Sequence, residues 1–283
     1  MSHGPSQLNP SHDTRTFELS DSLFADFQAL TLRTTGIQLD DTKTQMILTR
    51  FSRRVRALGL DGFEQYLEIV QQENHPERAE FIDTITTNLT FFFREPHHFA
   101  ILGDQILPLL QSDTANRSPI RIWSAGCSSG QEPYSIAMSI LESQCVSPRE
   151  IRILCTDIDS KKVRQTELGQ YSTNELRGLT PQQVQLWFDR TPGGALQVKQ
   201  ALKDMLVCRY MNLFGPWPIR PGVDVIFCRN VLIYFDVKRQ EQVIRGMANL
   251  QPKGGKLFIG HSETIPHSVD LYQRISNTVY ERV

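Results

Sequence analysis

The residues most suited to chemistry lie in one run, Ile122-Trp123-Ser124-Ala125-Gly126-Cys127-Ser128-Ser129-Gly130-Gln131-Glu132-Pro133-Tyr134. An apolar stretch meets a turn of small residues, and a helix opens at once. Small side chains let a ligand's polar atoms approach the backbone, and the N–H groups of a new helix are free to donate. The next apolar run ends in Cys155-Thr156-Asp157-Ile158-Asp159, with Asp157 lying 27 residues beyond Gly130. At the carboxyl end of the second strand of a doubly wound sheet, an acidic residue can accept both hydroxyls of a ribose. Glu132, opening the first helix, can do likewise. Asp159 is better placed to cap the helix that follows.

The spacing Gly126-x-x-x-Gly130 is not the dinucleotide fingerprint, and no Lys-Ser/Thr pair makes it a P-loop. The expected ligand is therefore a nucleoside without a pyrophosphate. Adenosine joined to a methionine sulfonium meets that description. No metal site is expected, because His97 and His98 are neighbours that cannot share a helix face and no other ligand types cluster with them.

The elements that must carry these residues follow from the pattern. The chain has 283 residues, enough for one large domain and one small one. From Leu19 to about Ile85 the periodicity is helical, punctuated by Gly36 and Gly59, and predicts a bundle of four short helices. Apolar runs then recur at 120–126, 151–157, 223–230, 254–261 and 278–283, with helical stretches between the earlier ones. That alternation predicts a parallel sheet covered on both faces. It is interrupted between Tyr171 and Asn212, where a helix capped by Thr180 and two polar strands predict a small antiparallel excursion at about 190–212.

Composition narrows the class further. Thirty basic and 31 acidic residues leave a net charge of −1, so no global polycation faces a nucleic-acid backbone. No apolar run approaches the ~18 residues that span a bilayer. Residues 1–16 read as a disordered tail without the apolar segment of a signal peptide. Five cysteines, none in a CxxC pair, read as reduced thiols, with Cys127, Cys155 and Cys228 in the core. Together these predict a cytoplasmic protein.

Five segments carry a resemblance: TTNLTFFFRE (86–95), IWSAGCSSGQEPYSIA (122–137), DID (157–159), CRNVLIYF (228–235) and GHSE (260–263). With them the chain resembles the chemotaxis receptor methyltransferases, the CheR family, over nearly all its length after the tail. The resemblance implies a Rossmann-like α/β domain that binds S-adenosylmethionine (SAM), with a small antiparallel β-subdomain, preceded by a small all-α domain. In this chain the helical domain falls at 17–85, a linker contributing to the SAM site at 86–97, and the methyltransferase domain at 98–283. The implied SAM contacts are Asn88, Thr90 and Arg94 from the linker, Glu132 and Asp157, Asn212 with Leu213, and Asn230 with Val231. Tyr234 falls where the methyl group is expected. The implied acceptor is a glutamate side chain on the cytoplasmic helices of a chemoreceptor, and the product is its methyl ester.

That reaction needs no general base, since a carboxylate with a reference pKa of about 4.3 is already ionised. It needs alignment, and Arg94 is the residue whose forked guanidinium suits a carboxylate. Arg94 and Tyr234 are thus the expected catalytic pair. At least one of Phe91, Phe92 and Phe93 should enter the core. Lys43, Arg50, Arg53, Arg54 and Arg56 lie in a stretch with no acidic residue between Thr42 and Leu60. On a helix whose apolar face is Leu48, Phe51, Val55 and Leu58, they form an expected docking face for an acidic receptor helix. Two alternatives stay open at this level: methyl transfer to another protein or to nucleic acid, and a non-catalytic module that only binds SAM.

Overall fold

The computed structural model describes residues 15–113, 119–145 and 151–283. The tail expected at 1–16 lies, up to residue 14, outside the described residues.

Four helices form the N-terminal unit: α1 (Asp21–Thr35), α2 (Thr44–Ala57), α3 (Phe63–Gln71) and α4 (Glu77–Ile85). The Ser20 hydroxyl accepts from the Leu23 N–H to start α1, and Gly36 ends it in the left-handed region. Rings fill the centre: Phe51 stands 5.0 Å from Phe27, 5.3 Å from Phe81 and 5.5 Å from Tyr66. Such tilted aromatic contacts suit the ring quadrupoles.

Helix α2 departs from the expected division of its faces. Ile47, Phe51, Ser52 and Val55 are its buried residues, whereas Leu58 is 40% exposed. The basic residues are also divided. Arg54 forks onto the buried Glu77 through Nε–Oε1 at 2.8 Å and NH2–Oε2 at 2.5 Å. Arg50 donates to the carbonyls of Thr84 and Thr86, satisfying the end of α4. Arg56 donates to the Arg15 carbonyl at 3.2 Å from Nε. Arg53 is the exposed one.

The rest of the chain folds around a seven-stranded sheet. Its strands in chain order are β1 (Ile120–Ala125) and β2 (Ile151–Asp157), then, after β3 (Gln170–Tyr171), β4 (Phe188–Arg190) and β5 (Leu196–Val198) of a second sheet, β6 (Leu206–Tyr210), β7 (Val225–Cys228), β8 (Lys256–Ile259), β9 (Tyr272–Ser276) and β10 (Val279–Arg282). The order across the large sheet is β6-β2-β1-β7-β8-β10-β9. Five strands run parallel, and β10 is antiparallel to both β8 and β9. The expected all-parallel sheet is therefore mixed. Strand β9 escapes sequence detection because its residues are polar or only half-buried, as an edge permits.

Helices α5 (His97–Ile101), α6 (Leu107–Asp113), α7 (Gln131–Ser143), α8 (Ser160–Leu168), α9 (Pro181–Trp187), α10 (Gln200–Lys203) and α11 (Val237–Leu250) complete the fold. A π-helical turn at Leu102–Ile106 joins α5 to α6. Thr180 caps α9 with a reciprocal Gln183 contact, as its sequence predicts.

The small antiparallel sheet, in order β3-β5-β4, spans residues 170–198 and not 190–212. Strand β6 instead joins the main sheet, parallel to β2 with Ile153 opposite Leu206. Its alternation has the burial of an edge strand, Cys208 buried between exposed neighbours, which sequence alone does not separate from a hairpin arm.

The two units meet through polar contacts. The Gln38 N–H donates to the Tyr234 carbonyl at 2.9 Å, and Asn212 Nδ2 to the Thr34 carbonyl at 2.8 Å. At the other end of the junction, Asp83 Oδ1 accepts from the Ser160 N–H at 3.0 Å and Lys161 pairs with Glu80 at 2.6 Å.

Candidate active site

In a doubly wound sheet the crevice opens where the strand order reverses, here between β1 and β7. A cleft open to solvent lies at that carboxyl edge. Its floor is the turn after β1, with Gly126 and Ser128, and the end of β2 at Asp157. The 86–94 linker and the 229–235 segment form its walls. Ile37, Gln38, Lys43 and Met46 of the helical unit close it from above.

Gly126 has φ +84°, and a Cβ there would fall 2.4 Å from Val231 Cγ2. The absent side chain is what lets the turn and the 230–231 wall approach. Asp157 is 8% exposed, with Oδ2 accepting from the Ser128 N–H at 2.8 Å and Oδ1 from the Asp159 N–H at 2.9 Å. Burial raises its pKa to about 6, the backbone donors opposing that rise. Each oxygen keeps a lone pair for a hydroxyl donor. Asp159 caps α8 by accepting from the Lys162 N–H, and its other oxygen accepts from Thr86 and Asn88.

Glu132 opens α7, where the helix dipole favours an anion. Its Oε1 accepts from the Ser124 hydroxyl at 2.7 Å, and Oε2 pairs with Arg229 NH1 at 3.2 Å. Burial pushes this carboxyl above its ordinary range, with Arg229 and Ser124 pulling the other way. Arg229 is 2% exposed along its side chain. It also donates to the Arg94 carbonyl and lies 3.6 Å from Glu95 Oε2. Outside the cleft lining, Glu263, 4% exposed, braces the 229–235 wall by accepting from the N–H groups of Asn230 (2.8 Å) and Ile233 (3.2 Å), and it also accepts from that of Gly260 (2.5 Å). These contacts hold Asn230 in the left-handed conformation, φ 59°. Arg229, Glu95 and Glu263 escaped the sequence reading as site-building residues, although each stands inside a quoted motif.

All ten residues expected at the SAM and methyl-transfer site line this one cleft: Asn88, Thr90, Arg94, Glu132, Asp157, Asn212, Leu213, Asn230, Val231 and Tyr234. Two spend their side chains elsewhere. Asn88 Nδ2 donates to Asp159 and Thr86, and the Asn212 amide bridges Thr34 and the Phe214 N–H. Arg94 NH1 donates to the Leu89 carbonyl at 2.8 Å, and its guanidinium lies within electrostatic reach of Tyr234 and Glu132. Burial raises the Tyr234 phenol above its usual pKa, so it stays protonated and able to donate. Phe92 is fully buried, and Phe91 lines the cleft. Arg50, Arg53, Arg54 and Arg56 lie outside it.

Glu95, His97 and His98 do come together, with candidate ligand atoms within 4.8 Å of one another. The Arg229 guanidinium beside Glu95 already supplies a cation there. Burial, with Arg229 and His97 adding to it, lowers the His98 pKa to about 3, so its ring is neutral. His98 Nε2 is bonded to Thr278 Oγ1 at 2.8 Å.

The donor set fits SAM: a buried carboxylate for the ribose, a carboxylate at a helix start for the ammonium group, and between them a turn of small residues, Gly126 to Gly130. Comparison with known proteins agrees. Residues 88–281 match the CheR methyltransferase SAM-binding domain, and residues 22–86 match the CheR methyltransferase all-alpha domain. The chemotaxis protein methyltransferase of Escherichia coli is 39% identical over 273 residues, covering 94% of this chain and 93% of that protein. Its Salmonella typhimurium counterpart is 38% identical over 272 residues, covering 94% and 92%. A probable chemotaxis protein methyltransferase of Rhizobium etli is 39% identical over 251 residues, covering 87% and 94%. The chain belongs to the CheR family of SAM-dependent chemotaxis methyltransferases.

Proposed function

We propose that the acceptor is a glutamate side chain on the cytoplasmic helices of a chemoreceptor, which the enzyme converts to a glutamyl methyl ester in the cytoplasm. The observation that carries this reading is Arg94 in the same cleft as Asp157 and Glu132, beside a protonated Tyr234. A guanidinium at the methyl end of a SAM site suits an anionic acceptor and serves no neutral base or amine as well.

SAM supplies a methyl group on a cationic sulfur, open to in-line displacement. The chain's residues bind and orient. Asp157 accepts from the ribose hydroxyls, and Glu132 faces the amino-acid end. Arg94 holds the acceptor carboxylate by one oxygen while the other attacks. Tyr234 donates to the same carboxylate or flanks the methyl group. Alignment of this kind lowers a barrier by as much as ~7–11 kcal/mol. No side chain must remove a proton, because the acceptor arrives ionised.

Docking of the receptor helix falls to the α2 side of the helical unit. Arg53 is the exposed cation there, while Arg50, Arg54 and Arg56 are held by internal partners. The test is transfer of radiolabelled methyl from SAM to receptor fragments, followed by release of methanol with base. Label that resists base, or label appearing in nucleic acid, would overturn the glutamyl-ester reading.

A further inference from the structure

Arg94 sits in an unusual frame. The residues on either side of it, Phe93 and Glu95, both have left-handed backbones, at φ 53° and 59°. Neither is glycine, so the turn persists only because its surroundings fix it. The fixing contacts are on both flanks. The Phe93 N–H donates to the Ser135 hydroxyl at 2.9 Å. Glu95 Oε1 accepts from His261 through its N–H at 3.2 Å and its Nδ1 at 3.1 Å. Between the flanks, Arg229 donates to the carbonyl of Arg94 itself.

Arg229 also reaches Glu132 with its other terminal nitrogen, at 3.2 Å. One buried guanidinium therefore touches both the backbone that aims Arg94 and the Glu132 carboxylate of the same cleft. Glu95 lies 3.6 Å from the same guanidinium and is 10% exposed. Neither Glu95 nor His261 lines the cleft, so Glu95 reaches the reacting groups only through its neighbours.

We infer that Glu95 is a positioning residue, which with Arg229 clamps the 93–95 turn so that Arg94 meets the acceptor carboxylate in attack geometry. The inference rests on the proposed role of Arg94. Glu95 contributes to turnover through Arg94 and not through SAM binding. Removing its charge lets the turn relax and the guanidinium swing, with the donor end of the cleft unchanged.

The experiment is a double-mutant cycle in the full-length protein with Arg94→Ala, Glu95→Gln and the pair. It reads kcat for methyl transfer to a receptor fragment, SAM Kd by calorimetry, and Tm. Glu95→Gln should lower kcat about tenfold with SAM Kd within about twofold of the parent. In the Arg94→Ala background the same substitution should cost no more than about twofold, because its route of action is already gone. Glu95→Asp, which keeps the charge but shortens the reach to His261, should fall between parent and Glu95→Gln, and it replaces Glu95→Gln in the cycle if that variant does not fold. Multiplying losses in the double variant, or a Glu95→Gln loss that appears in SAM Kd alone, overturns the inference while leaving the role of Arg94 standing. Full methyl transfer by Arg94→Ala instead removes the role of Arg94, and the clamp with it.

Discussion

Asp157 offers a prediction whose size follows from its surroundings. Burial lifts its pKa from 3.8 to about 6, so the folded protein without SAM holds that proton more tightly than the unfolded chain. The sign is therefore opposite to that of a salt-bridged carboxylate. Stability from this group is present below pH ~4 and is lost as the pH rises through about 6. The shift corresponds to about 3 kcal/mol. At neutral pH the protein thus carries an ionised, desolvated carboxylate that two ribose hydroxyls would help to satisfy. If SAM binds only the ionised form, its apparent Kd rises as the competent fraction falls. Between pH 7 and pH 5 a pKa near 6 gives a roughly tenfold loss of affinity. Asp157→Asn should weaken binding at pH 7 by roughly 10- to 150-fold, the value of one charge-assisted hydrogen bond, and should flatten the profile. Calorimetric titration with SAM at several pH values in both proteins measures this. Glu132 also has a raised pKa, which is why the comparison matters more than the parent curve alone. A parent Kd constant from pH 7 to 5, or an Asp157→Asn protein with the same slope, refutes the assignment of Asp157 to the ribose.

Four further outcomes are expected. Gly126→Ala puts a Cβ 2.4 Å from Val231 Cγ2 in a left-handed backbone, which should lose SAM affinity and cost about 2–4 kcal/mol; partial recovery of Tm in Gly126→Ala/Val231→Ala would locate the clash, and no change in either quantity would contradict it. Reversing Arg54 leaves Glu77, 4% exposed, without its partner, so Arg54→Glu should destabilise by about 3–5 kcal/mol in thermal unfolding. Arg53→Glu should keep its Tm yet slow receptor methylation at low salt, the difference shrinking as salt is added; equal rates at low ionic strength would exclude Arg53 from docking. Tyr234→Phe should lower kcat about tenfold or more while SAM Kd stays within about twofold, and a Kd effect alone would move Tyr234 to the donor end of the cleft.

The sequence by itself determined the local elements and the residue types at the site. Helix periodicity with Gly36 and Gly59 bounded the N-terminal helices, and Thr180 marked the start of α9. The turn after β1 and the acid ending β2 were legible because close approach and a ribose contact demand particular residue types at a fixed spacing. Tertiary structure decided which polar groups remain available. Arg53 and Arg54 are adjacent in the chain, yet one is exposed and the other is bound to Glu77, 23 residues away. Asn88 and Asn212 line the cleft while their amides serve the junction between the two units. The residue types of Leu206–Tyr210 fit a hairpin arm or a sheet edge equally well, and only pairing with β2 chose between them. The reason is common to all three. Periodicity reports which face of an element is apolar, whereas the partner of a charge or an edge is set by segments far away in the chain.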